Sequence, residues 1–221
     1  MKILFKYPSR GRVERFFDGL DSIVNNMQDM ENFHISCTLD EDDPEMHRME
    51  VMQLIQEYPN TSIEWGLSWS KIQAVNRSMP KTDWDIIVVM SDDMRISFYG
   101  FDTLLRGFIN EYIPDMDGLI HVPDQDAKEA LATMYIATRK YYDRFGYIYH
   151  PSYKSVFCDN EVQEIAKKTG KYFYFSCFGL IKHLNPAYGH LPKDVMFIEQ
   201  QNCWQEDEAN FIKRKANKFY L

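Results

Sequence analysis

The sequence has little cysteine and no spacing that would put it to use. Its four cysteines (Cys37, Cys158, Cys177 and Cys203) stand far apart, with no C-x-x-C pair. That excludes a zinc ribbon and a thioredoxin-type centre, and it predicts reduced thiols in a cytoplasmic protein. Glycine (10) and proline (9) are sparse and scattered. There is accordingly no flexible linker, low-complexity tract or internal repeat, and a single domain over 1–221 is expected. No apolar run approaches the roughly 18 residues that a membrane-spanning helix needs. The apolar stretch after Met1 is too short for a signal peptide. An excess of positive charge is also missing: 25 Lys and Arg against 33 Asp and Glu give −8. A protein that grips nucleic-acid phosphates shows a basic stripe. Nucleic acid is therefore not the expected partner, and the small basic cluster of Lys213, Arg214, Lys215 and Lys218 is expected to be a solvated helix face.

What is present is an aromatic-rich globular chain. Fifteen Phe, fourteen Tyr and four Trp in 221 residues are too many for a disordered polymer. In the first half, apolar spacing predicts strands over 2–7, 33–39, 61–65 and 84–90. Between them it predicts helices over 13–27, 46–58 and 70–79, with Met49, Met52, Leu54 and Ile55 facing the core in the second. Ile86-Ile87-Val88-Val89-Met90 is a continuous apolar run, as in a central parallel strand buried on both faces. The order β-α-β-α-β-α-β predicts an α/β fold with a mainly parallel sheet. The second half is less regular. Helices are expected over 101–112, 160–169 and 205–219, and strands over 118–122, 132–138, 172–175 and 179–183.

Ligands of such sheets sit beyond the carboxyl ends of the strands. That rule selects three loops: 8–12, 40–43 and 91–94. In the third, Asp92 and Asp93 follow the most apolar strand. Adjacent carboxylates there repel unless a cation or donor balances them, and Mg²⁺ or Mn²⁺ is commonly held by one or two carboxylates plus substrate phosphates. In the first, Arg10 and Arg12 precede a helix whose N-terminus favours anions. Further along, Cys158-Asp159-Asn160-Glu161 opens a helix. There Asp159 is suited to N-capping and also to taking a proton from a reacting hydroxyl. His183 ends an apolar strand and can return towards the acidic pair.

In this order the motifs resemble a nucleotide-sugar-dependent glycosyltransferase of the GT-A fold, in the broad inverting group called family 2. The strand with Pro8-Ser9-Arg10-Gly11-Arg12 resembles the first nucleotide-binding loop. Trp69 to Asn76, with Lys71 and Asn76, resembles the helix before the metal strand, and Ile86 to Met94 the strand carrying D-x-D. His150 to Glu161, and on to His183, resembles the acceptor half. The first D-x-D position is Ser91 here, and Asp159-Asn160-Glu161 stands where the family has Glu-Asp.

The resemblance implies a Rossmann-like α/β/α sandwich of three layers. Residues 1–95 would form the donor half, 96–190 the acceptor half and 191–221 an extension. The donor implied is a nucleoside-diphosphate sugar, most commonly a UDP-sugar. It would be bordered by Pro8, Ser9, Arg10, Asp40, Lys71, Asn76, Ser91 and Asp92, with Asp42 as a rival to Asp40 at the uridine. The resemblance also implies Mn²⁺ or Mg²⁺ on Asp93, with Asp92 and His183, and Asp159 as the base, with Glu161 as its rival. The acceptor would be a glycan, a lipid-linked or a small molecule, its linkage formed with inversion. Gln200, Gln201, Asn202 and Trp204 suggest a flexible lid. Other readings are a non-catalytic nucleotide- or sugar-binding module and a transferase acting on modified nucleic-acid bases. A nucleotidyltransferase is disfavoured because its glycine-rich first loop is missing.

Overall fold

The computed structural model describes residues 1–220. The first half alternates as its apolar pattern requires. Strands β1 (Ile3–Ser9), β2 (Phe33–Asp40), β3 (Thr61–Gly66) and β4 (Ile86–Val89) are separated by helices α1 (Val13–Val24), α2 (Met49–Gln56) and α3 (Lys71–Asn76). The second half adds β5 (Met94–Ile96), α4 (Phe101–Tyr112), β6 (Leu119–His121), β7 (Ile136–Thr138) and α5 (Arg139–Asp143). It continues with α6 (Cys158–Lys168), β8 (Tyr172–Tyr174), β9 (Ile181–His183), α7 (Val195–Asn202) and α8 (Trp204–Ala216).

Seven strands form one sheet in the order β3-β2-β1-β4-β7-β6-β8. β1 pairs in parallel with both β2 and β4, and β2 with β3. β7 is antiparallel to its neighbours β4 and β6, while β6 and β8 are parallel. One strand of seven therefore runs against the rest. β5 and β9 form a separate antiparallel ribbon that pairs Met94 with His183.

Side chains alternate across a strand, and here they feed two cores. Ile3, Phe5 and Tyr7 of β1 pack with Phe16 and Leu20 of α1, Ile55 of α2, and Phe101 and Leu105 of α4. On the opposite face Leu4, Ile87 and Val89 meet Ile72 and Val75 of α3, Tyr141 of α5 and Ala166 of α6. The result is helix, sheet, helix. α1 approaches β1 closely at Gly19, where a Cβ would lie 2.0 Å from the Tyr7 hydroxyl oxygen. Tyr7 uses that room to donate to the Phe16 carbonyl at 3.1 Å.

Several expectations need correction. α2 buries Val51 and Ile55, whereas Met49 and Leu54 are exposed. The i, i+4 pair fixes the inner face, and the helix is rotated accordingly. Asp159 does not cap α6. That place is taken by Phe157 in a left-handed conformation (φ 61°), and Asp159 lies inside the first turn. In the terminal cluster Lys213, Lys215 and Lys218 are exposed as expected, but Arg214 is buried on Glu161. Gln200, Gln201 and Asn202 end α7 and Trp204 opens α8, which leaves the lid expectation as it stood. No helix among the described residues is long and apolar enough to cross a membrane.

Candidate functional site

Because β1, β2 and β4 are parallel, the loops that follow them emerge at one edge of the sheet. Acidic side chains lock these loops together. Asp43 is buried and accepts from Gly11 N at 2.7 Å, and from Glu45 N and Met46 N. Gly11 sits at φ 66°, a left-handed conformation glycine adopts without steric cost. Asp40, also buried, accepts from Arg77 at 2.9 Å and Arg10 at 3.0 Å. Arg10 reaches Asp42 too, at 2.5 Å, and that bond above all raises its pKa.

Arg12 organises the other side. It donates to Asp92 Oδ1 at 2.7 Å and forks onto Asp194 at 2.8 and 2.7 Å. Arg15 adds a third bond to Asp194 at 2.9 Å. Asp194 is also the N-cap of α7, accepting from Phe197 N at 2.9 Å. The remaining Asp92 oxygen accepts from Ser9 at 3.2 Å. Both Asp92 oxygens are thus engaged. Burial raises this carboxyl's pKa, against the pull of Arg12.

Asp93 faces a histidine. The β5–β9 ribbon brings His183 Nε2 within 3.5 Å of Asp93 Oδ2, and Ser91 Oγ donates to the other Asp93 oxygen. On its far side His183 Nδ1 meets Asp124 Oδ2 at 3.2 Å. Asp124 is itself fixed by Thr133 Oγ1 at 2.6 Å and by Asp126 N and Ala127 N. Burial alone would lower the histidine's pKa, but hydrogen bonds to Asp124 and Asp93 outweigh it and raise the value to about 9. Burial would likewise raise the two carboxyls, yet the same bonds hold both well below the usual range.

Two adjoining clefts open here. One, of about 310 Å³, is lined by Pro8, Ser9, Arg10, Asp40, Lys71, Ser91, Asp92 and Asp93, with Trp69 at 85% exposure. The other, of about 320 Å³, shares Pro8, Arg12, Lys71, Ser91 and Asp93 and extends past His183 and Asp124 to Asp159. Each is near the lower end of small-ligand cavity sizes. Burial raises the pKa of Asp159, which accepts from Asn160 N at 2.9 Å. α7 walls both clefts through Gln200.

Two expected site residues lie elsewhere. Asn76 lines neither cleft. Its amide donates to Tyr149 O at 2.6 Å and accepts from Ile148 N and Tyr149 N, which clamps that segment. Glu161 is buried beneath α8, bound bidentately by Arg214 at 2.7 and 2.8 Å and by the Tyr153 hydroxyl at 2.7 Å. Asp124 went unnoticed in the sequence because it lies in a loop without a motif. Asp207 was missed as well. It accepts from Lys154 N, Ser155 N and Val156 N, and so secures the loop that lines the clefts ahead of α6.

Whether a divalent cation fits can be judged from the donor set. Asp93 and His183 Nε2 converge, and a carboxylate on Nδ1 is the usual partner of a metal-binding histidine. Asp92 is committed to Arg12 and Ser9. Among the described residues no group of three His, Cys, Asp or Glu side chains could hold a metal. By themselves the described residues supply Asp93 and, once its Nε2 proton is lost, His183, which is short of a complete metal site.

No protein-family model and no curated protein matches the chain. Solved structures do. The mannosyltransferase PcManGT from Pyrobaculum calidifontis, in complex with GDP-Man and Mn²⁺, superposes with TM-score 0.65 at 10% identity, over 86% of this chain and 58% of that one. TarS 1–349 of S. aureus in complex with UDP-GlcNAc gives 0.64 at 13%, over 82% and 58%. Glucosyl-3-phosphoglycerate synthase from Mycobacterium tuberculosis, in complex with phosphoglyceric acid, gives 0.53 at 13%, over 83% and 72%. The fold is the GT-A fold of nucleotide-sugar glycosyltransferases. The chain spans less than two thirds of the TarS and PcManGT chains.

Proposed function

We propose that the chain is a glycosyltransferase that moves a sugar from a nucleoside-diphosphate sugar to an acceptor hydroxyl, with inversion and with help from Mn²⁺ or Mg²⁺. The observation that carries this reading is the placement of Asp93, which lines both clefts, against His183 in the second, with Asp159 further along that cleft.

The donor, a UDP-sugar in this reading, occupies the first cleft. Its base and ribose lie against Pro8, Ser9 and Asp40, whose carboxylate the two arginines hold in place. Lys71 lines both clefts and makes no ion pair among the described residues, which leaves its charge for the diphosphate. Asp93 and His183 would hold the cation, and its positive charge would offset the negative charge building on the diphosphate. Asp159 takes the proton from the acceptor hydroxyl. The acceptor oxygen then bonds to the anomeric carbon while the bond to the diphosphate oxygen breaks and its electron pair leaves with the diphosphate. A single displacement inverts that carbon. The raised pKa of Asp159 makes its carboxylate a stronger base than an exposed one.

Asp159→Asn tests the assignment. Transfer should fall by roughly 100-fold or more, with nucleotide affinity nearly unchanged. Transfer at the parent rate would remove Asp159 from the reaction.

A further inference from the structure

The far end of the second cleft bears on the chemistry of the acceptor, and the inference rests on the glycosyltransferase reading above. Its charges are unevenly committed. Arg12 is spent on Asp92 and Asp194, and His183 stands between Asp93 and Asp124. The remaining cation, Lys71, lies where the two clefts meet and lines the donor side as well. Beyond that seam the lining holds carboxylates but no further lysine, arginine or histidine among the described residues. A phosphate or carboxylate on the acceptor would therefore approach Asp159 and Asp124 with no cation set aside to receive it.

The other lining groups are aromatic rings and amides. Trp204, at the start of α8, is 44% exposed and lines the cleft with its indole packed edge-to-face on Phe157 (centroids 5.0 Å apart, 71° between planes). Tyr188 projects from the turn after β9 and is exposed. Asn160, Gln200 and Gln201 bring amides, each able to donate and accept. Aromatic surface suits the C–H face of a pyranose, and amides suit its ring hydroxyls. A phosphosugar, or a chain bearing acidic groups, finds only Lys71, which the donor side shares.

We propose that the acceptor is an uncharged carbohydrate, whose receiving residue stacks on Trp204 and hydrogen-bonds to the amides of Asn160 and Gln200. Its attacking hydroxyl then points to Asp159.

Saturation-transfer NMR on the full chain with UDP and Mn²⁺ tests this. The neutral probes are cellobiose, N,N′-diacetylchitobiose and maltose, and the charged probes are glucose 6-phosphate and glucuronic acid. At least one neutral disaccharide should bind, with the charged sugars weaker by roughly tenfold. Trp204→Ala should weaken the neutral sugar by roughly tenfold and Trp204→Phe should recover most of the loss. Equal or tighter binding of a charged sugar overturns the proposal, as does neutral binding indifferent to Trp204→Ala. If UDP raises the melting midpoint but no neutral sugar binds, the acceptor assignment falls and the donor site stands. If no nucleotide raises the midpoint, the glycosyltransferase reading falls and takes the acceptor assignment with it.

Discussion

His183 Nε2 lies 3.5 Å from Asp93 Oδ2 because β9 pairs antiparallel with β5 and sets His183 opposite Met94. A three-residue ribbon thus joins the carboxylate after the central strand to an imidazole from the far end of the chain. Asp124 stands behind the imidazole and fixes its other nitrogen.

This chain of three sets the first prediction. Asp93→Ala and His183→Ala should each abolish tight Mn²⁺ binding in the presence of UDP. Asp124→Ala should keep both ligands and lower Mn²⁺ affinity by roughly 10–100-fold. Titration of Mn²⁺ by its paramagnetic resonance signal, on protein shown folded by circular dichroism, reads this directly. Parent affinity in Asp124→Ala would mean that Asp124 does not orient His183.

A second prediction separates the two acids of α6. Glu161 is buried with Arg214 and Tyr153, and it lines neither of the two adjoining clefts. Removing one partner of a buried pair strands the other, at a cost of roughly 3–5 kcal/mol. Glu161→Ala should therefore lower the stability measured by urea unfolding by about that much. Asp159→Asn, which removes no buried partner, should melt within a few degrees of the parent. Parent stability in Glu161→Ala would contradict the structural role given to Glu161.

Lys6 gives a third. It is fully buried in β1, and its ammonium donates to Ser78 O at 3.0 Å. Burial, reinforced by Arg77, lowers its pKa from 10.5 to about 8. Between those values the unfolded chain binds more protons than the folded one, so this group makes stability rise with pH across the window. Below about 8 the cost of the buried charge is present in full. The stability gained by Lys6→Met over the parent should be largest below pH 8 and should shrink towards pH 10.5. A gain that does not change with pH would show that Lys6 keeps its ordinary pKa in the fold.

The parts of the fold that were legible in the sequence are those with local periodicity. Ile86 to Val89 announces a central strand, and the alternation before it gives the parallel half. β5 was not legible, because Met94-Arg95-Ile96 is three residues long and its partner lies far along the chain. α7 was hidden for another reason. Val195 and Ile198 face outward while Phe197 is buried, so no single apolar stripe marks it. Among the site residues, Asp93 lies in the loop after β4, where the rule for parallel sheets points, whereas His183 ends β9 of the separate antiparallel ribbon. Asn76 and Glu161 have the right chemistry in the right segment, but partners distant in sequence, Tyr149 and Arg214, claim them.

The central claim is a donor site for a nucleoside diphosphate built on Asp93 and His183. Its most direct test is a thermal-shift titration with UDP, GDP, ADP and CMP, each with Mn²⁺ and again with EDTA. A ligand that binds only the folded chain raises the melting midpoint by mass action. UDP should raise it with Mn²⁺ and lose most of that effect in EDTA, with CMP inert. A midpoint that no nucleotide moves in either condition would contradict the account.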